Sequence, residues 1–239
     1  MDLPITATEP PEVEQTLVWK AYSVLRQAIV RGELLPGDKL KIEALQRQYA
    51  ISSSPLREAL NRLTAEGLVV SEGNRGFWVA PVSLEDLYDI VNLRIVLERE
   101  AVEASIAEGG DDWEARIVAA FYRLEREEKR IFEEHAALSE EWSQRHRDFH
   151  MAIFSGGKSK RLINMVANFF DQAERYRRLS AVYRKAPKNK SNEHKRLMEA
   201  VLSRDPALAA ERLREHVHKT AQNVANAMKA KQAEAEAAR

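Results

Sequence analysis

The sequence contains no cysteine. Disulfides, thiolate nucleophiles and cysteine-held metals are therefore excluded, a pattern that fits a cytoplasmic protein. Long apolar runs are missing too, because stretches such as Ala101–Ala107 and Ile163–Phe170 fall well short of the roughly 20 residues that cross a bilayer. No membrane partner is expected. The opening MDLPITATEPPEVEQ lacks the basic start and apolar core of a secretory signal. Net charge is also absent, with 37 basic and 37 acidic residues, so the chain as a whole does not advertise a nucleic-acid partner.

Charge is nevertheless unevenly placed. The first fourteen residues hold Asp2, Glu9, Glu12 and Glu14 without a single Lys or Arg, whereas residues 175–190 hold seven basic side chains and no acid. That later segment reads as a solvated surface. Between Leu17 and Pro81 basic residues outnumber acidic ones nine to six, an excess that permits phosphate binding without establishing it.

What is present suffices for two modest domains: 239 residues, 44% of them hydrophobic. Residues 1–16, rich in acids and carrying Pro4, Pro10 and Pro11, read as a disordered arm. From Leu17, apolar residues recur at helical spacing through Val18, Ala21, Val24, Leu25, Ala28 and Ile29 until Gly32. The segment GELLPGDKL is expected to be an extended connection. A second helix carries Ile42, Leu45 and Tyr49 on one face, and Ser52-Ser53-Ser54-Pro55 opens a third whose buried stripe is Leu56, Ala59, Leu60 and Leu63. Gly67 ends it. The period then changes to two, predicting strands at Leu68–Val70 and Gly76–Ala80 with Gly73-Asn74 at the turn. Three helices and a hairpin describe a winged helix-turn-helix over residues 17–81.

Only helices follow. Their predicted starts are Ser83, Asp111, Ser139, Ser159, Ser191 and Asp205-Pro206, giving a mainly α chain whose second domain is an all-α helical bundle over 83–228. Residues 229–239 are expected to be a flexible tail.

The third helix carries the physical case for DNA. Its first turn presents Ser52, Ser53, Ser54 and Arg57 opposite the apolar stripe, so it can enter a major groove with hydroxyls, backbone N–H groups and a guanidinium foremost. Asn74, Arg75 and Gly76 at the wing tip can reach the backbone or minor groove. The alternative is a winged helix used for protein contacts, with Arg57 salt-bridged on a solvated face.

These residues resemble the GntR family of transcription regulators. The resemblance covers about sixty-five residues that contain the run from LRQAIVRGELLPGDKL to LTAEGLVVSEGNRGFWV, and includes the Gly-x-Leu-x-Pro-Gly segment, Pro-x-Arg-Glu-Ala-Leu and the Arg-Gly of the wing. It implies operator contacts from Ser52, Ser54, Arg57, Asn74, Arg75 and Gly76. Family members usually carry arginine where this chain has Ser53, so a bidentate guanine contact is lost and the family operator cannot be carried over.

The later region resembles the FCD effector domain of the FadR subgroup. The matching pieces are Leu93-Arg94, Leu97-Glu98, Phe149-His150, Glu193-His194 and Glu215-His216-Val217. From chemistry alone, His146 and His150 share a helical face at i, i+4, while His194 and His216 lie on two later helices beside apolar residues. Such imidazoles can hold a divalent ion, zinc or nickel by preference. The FCD pattern usually has aspartate where this chain has His146, and Asp148 points off that face. The alternative is a set of hydrogen-bonded core histidines. His135 and His218 have no comparable argument. Arg94 either forms an ordinary i,i+4 surface pair with Glu98 or faces a cavity and neutralises a carboxylate ligand.

The resulting expectation is a homodimeric repressor, not an enzyme. Its affinity for double-stranded operator DNA is expected to respond to a small carboxylate metabolite, an organic acid by resemblance, bound near the metal. A regulator for which the ion itself is the signal, and a metal-dependent hydrolase fused to a DNA-binding module, are the alternatives.

Overall fold

The computed structural model describes residues 17–134, 139–181 and 191–237. The arm expected at 1–16, His135 and the basic residues after Ala181 lie outside the described residues. The chain divides into two units between Pro81 and Val82.

In the first unit, α1 (Leu17–Arg31), α2 (Ile42–Tyr49) and α3 (Ser53–Ala65) precede β1 (Val69–Ser71) and β2 (Phe77–Val79). Two helices stop in the same way. Gly32 and Gly67 adopt φ of 76° and 74°, a left-handed conformation that side chains resist. Each glycine lets the next residue reach back, Glu33 N–H to the Ala28 carbonyl at 2.9 Å and Leu68 N–H to that of Leu63 at 3.0 Å, so the last carbonyls of each helix are satisfied.

The strands pair antiparallel, Val69 opposite Val79 and Ser71 opposite Phe77. The first strand has the expected three residues, one position later, and the second has three of the expected five; a 3-10 turn, Gly73–Arg75, lies between them. The extended connection also joins the sheet's outer edge: Leu40 N–H donates to the Phe77 carbonyl at 2.8 Å and Val79 N–H to that of Asp38 at 2.9 Å. Beneath the wing, Ala21, Leu25 and Ile29 of α1 meet Leu56, Leu60 and Leu63 of α3.

The second unit comprises α4 (Leu84–Glu108), α5 (Asp111–Glu133), α6 (Glu140–Phe154), α7 (Lys160–Ala181), α8 (Ser191–Leu202) and α9 (Pro206–Ala237). Its starts follow local chemistry: the side chains of Ser83, Ser139 and Asp205 accept from the backbone N–H groups of Asp86, Trp142 and Leu208, each at 3.0 Å. The segment expected as a flexible tail is helical through Ala237, consistent with its alanine, glutamate and lysine content. Among the described residues no helix is long and apolar enough to cross a membrane.

Two apolar clusters fill this unit. One joins Trp113, Phe149, Phe154, Leu197 and Leu213, and the other joins Leu87, Val91, Tyr176, Val217 and Val224. Leu213 and Val217, one turn apart on α9, belong to different clusters, and His216 lies between them in sequence.

Candidate DNA-binding face and histidine centre

Helix α3 divides cleanly by exposure. Pro55, Leu56, Ala59, Leu60 and Leu63 are buried, while Ser52, Ser53, Ser54 and Arg57 are all exposed. Ser52 occupies the N-cap position with extended backbone, yet its hydroxyl makes no capping bond, so the side chain stays available. Arg57 has no hydrogen-bond or ion-pair partner among the described residues, contrary to the salt-bridged alternative. On the wing, the Arg75 side chain is 82% exposed and only 3.9 Å from Glu72 at its nearest, a loose pair worth little. Gly76 follows at φ 116°. The Asn74 side chain lies outside the described residues.

The second site is internal. His146 and His150 on α6, His194 on α8 and His216 on α9 are all buried. One ring nitrogen from each lies within 4.8 Å of the others. A tetrahedral ion with metal–nitrogen distances of about 2.0–2.1 Å would bring such atoms to about 3.4 Å, an inward movement of roughly an ångström per ring. His146 stacks on Trp142 with centroids 4.6 Å apart. Burial pushes its imidazole well below the usual range, and the neighbouring rings of His150 and His194 add to that. The neutral ring is the form that ligates a metal.

Nδ1 of His194 is 2.9 Å from Oε1 of Glu128, a buried carboxylate on α5. Its Nε2 has no hydrogen-bond partner among the described residues, and neither does Nδ1 of His146. Buried nitrogens left this way are costly. A cation among them resolves the cost, so the residues present fit a divalent ion.

A cavity of about 20 Å³ adjoins the cluster, lined by Arg94, His146, Phe170, Glu174, Arg177 and His216 among others. Arg94 both pairs with Glu98 and lines this cavity. It lies over Phe170 at 4.9 Å and donates Nε–H to Glu98 Oε1 at 2.6 Å. The surface energy of such a pair does not apply, because the two side chains are only 8% and 0% exposed. Burial pushes the Glu98 carboxyl up, and Arg94 opposes that rise.

Other placements differ from expectation. Arg175 and Arg177 are buried, so the start of the basic segment is no solvated surface; Arg177 lies over Trp142 at 4.3 Å and donates to Ser143 Oγ at 2.8 Å. Asp148 accepts from Gln144 Nε2 at 2.7 Å, and His218 is exposed. Glu128 and Arg177 were not singled out from the sequence. A signal for Glu128 existed, since it falls on the α5 stripe of Ile117, Ala120, Phe121, Leu124 and Ile131, where an acid is out of place.

A winged helix-turn-helix with a bare polar turn, followed by an all-helical unit, is the architecture of a DNA-binding transcription regulator. Residues 17–79 match the bacterial regulatory proteins of the gntR family, and residues 89–219 match the FCD domain. The chain is 37% identical over 203 residues to the HTH-type transcriptional regulator BphR of Paraburkholderia xenovorans, covering 85% of this chain and 83% of that protein. It is 38% identical over 200 residues to the HTH-type transcriptional repressor GlaR of Escherichia coli, covering 82% and 90%. Escherichia coli McbR/YncC shares the fold, with a TM-score of 0.75 at 20% identity over 90% of this chain and 98% of that one. The chain belongs to the gntR family, with an FCD domain as its second unit. These relatives are regulators of transcription, which sets aside the fused-hydrolase alternative.

Proposed function

We propose that two copies of the chain bind a palindromic operator through α3 and the wing, and that a small organic acid at a histidine-held divalent ion weakens this binding. Dimerisation follows from the small number of base pairs one recognition helix covers. The observation that carries the sensor role is the convergence of four buried imidazoles beside a cavity lined by Arg94. Ser52, Ser53, Ser54 and Arg57 on α3, with Asn74, Arg75 and Gly76 on the wing, are the proposed DNA contacts. His146, His150, His194 and His216 are the proposed ligands, zinc or nickel being the ions that suit imidazole. The bound ion supplies a positive centre for a carboxylate. Arg94 neutralises a second anionic group, and Phe170 shapes the cavity wall. Repression, the role named for the E. coli relative GlaR, is the proposed sense.

A cavity of about 20 Å³ holds one water and no organic acid. An entering acid must displace its lining, which links occupancy to a change of conformation. The same size favours the second reading, in which the ion alone is the signal. Operator binding measured with the ion alone, and with the ion plus candidate small mono- and dicarboxylates, separates the two. In that assay His194→Ala should lose most bound metal and the whole response while keeping operator affinity, and exposed His218→Ala should change neither. Purified protein that neither carries nor takes up zinc(II) or nickel(II) returns the four histidines to a structural role.

A further inference from the structure

Glu128 has no place in the DNA face or among the proposed ligands. It lies on α5, 7% exposed, and directs one carboxylate oxygen at Nδ1 of His194 from 2.9 Å. Its other oxygen, Oε2, is buried with no hydrogen-bond partner among the described residues. The adjacent Glu127 is turned elsewhere, to Arg130 and to Ser139 Oγ at 2.8 Å. Glu128 is therefore a carboxyl group in a low-dielectric interior whose hydrogen-bonding contact among the described residues is the His194 imidazole, and as a carboxylate it would be a buried charge. Such a group is unfavourable unless more positive charge stands nearby.

We propose that Glu128 is a positioning residue for the histidine centre: it holds His194 as the Nδ1–H tautomer, turns Nε2 toward His146, His150 and His216, and supplies the negative charge that a bound dication balances. This rests on the metal reading above and adds the residue that tunes it. The three facts interlock. With Nδ1–H given to Glu128, Nε2 is left as a bare lone pair, and it is this atom that lacks a partner. A carboxylate behind the ring also raises the donor strength of the nitrogen facing the ion. His216 also faces an acid, Glu193, which stands 3.6 Å from its Nδ1 and is shared with Lys219. Glu128 is thus the buried acid that orients His194 within the cluster.

The test uses the full chain and cobalt(II), read by its visible absorption, with zinc(II) competition. Glu128→Gln preserves size and an acceptor oxygen but removes the charge. It should weaken ion binding about 10- to 100-fold while far-ultraviolet circular dichroism and operator affinity stay unchanged. Binding within two-fold of the unmodified chain overturns the role of Glu128 and leaves the metal centre standing. An unmodified chain that binds neither ion overturns both. Nitrogen-15 spectra of the metal-free, unmodified chain provide a readout that does not depend on how the variant folds. They should show His194 protonated at Nδ1 and bare at Nε2, and a proton at Nε2 overturns the proposal.

Discussion

The two units treat polar side chains in opposite ways. Among the described residues every buried one of the DNA-binding unit is apolar, whereas those of the helical unit include fifteen buried polar or charged ones. In the first unit the groups proposed to meet DNA stand outside a dry core, so on that reading recognition and stability rest on different residues. In the second, the groups that would meet a ligand are part of the interior. Changing one that belongs to a buried charge pair, such as Arg94 with Glu98, alters folding as well as binding, because the remaining charge is left in the interior.

The largest expected effect tests the interior of the helical unit. Arg94→Leu leaves Glu98 fully buried without its cation and should cost about 3–5 kcal/mol in urea unfolding. With Arg94 gone the Glu98 carboxyl rises further above its unfolded value. Its protonated form is then the one the fold prefers, so the variant should be less destabilised at pH 5 than at pH 8. A loss under about 1 kcal/mol at both pH values would remove the contrast between the units.

A smaller effect, confined to binding, is expected on the DNA side. Arg57→Ala should weaken operator affinity by about 1–3 kcal/mol, yet shift unfolding by no more than about 0.5 kcal/mol, because this side chain is exposed and unpartnered among the described residues. If stability fell as much as affinity, the separation of recognition from folding in this unit would be wrong.

The smallest expected effect concerns a polar tie at the edge of the first core. Tyr22 donates its hydroxyl to Glu66, which also pairs with Arg26 at 3.1 Å. Tyr22→Phe should cost about 1 kcal/mol. Burial, reinforced by donation to Glu66, pushes the phenol up to about 12 from an ordinary value of 10.0. The contribution of Tyr22 is therefore full below pH 10 and lost as pH rises from 10 toward 12. Unmodified and Tyr22→Phe chains should converge in stability across that window, and a gap that stays constant to pH 12 would contradict the assignment.

Much of the architecture was legible because its signals are local. A glycine with positive φ after an apolar stripe, a serine or aspartate that accepts from the third N–H of a helix, and an i, i+4 pair of histidines are all set within a few residues. The exposed turn of α3 belongs to the same class, since its periodicity alone decides which residues face away from Leu56 and Leu60. The resemblance to one regulator family rested on the run from the first helix through the wing and on short motifs of the later helices. Glu128 and Arg177 were harder to foresee because their meaning lies across the bundle: Glu128 meets His194 sixty-six positions later, and Arg177 meets Ser143 thirty-four positions earlier.

By itself, then, the sequence determined the order of the helices, the winged helix-turn-helix, the residues its recognition turn exposes, and the candidacy of four histidines. Tertiary structure alone decided that those histidines converge within 4.8 Å, that Arg94 and Glu98 form an internal pair, and that the basic stretch begins inside the protein. The physical reason is one of range. Periodicity and capping are set by hydrogen bonds and side-chain directions over one or two turns, whereas burial of a charge and the identity of its partner depend on which distant helices pack against it.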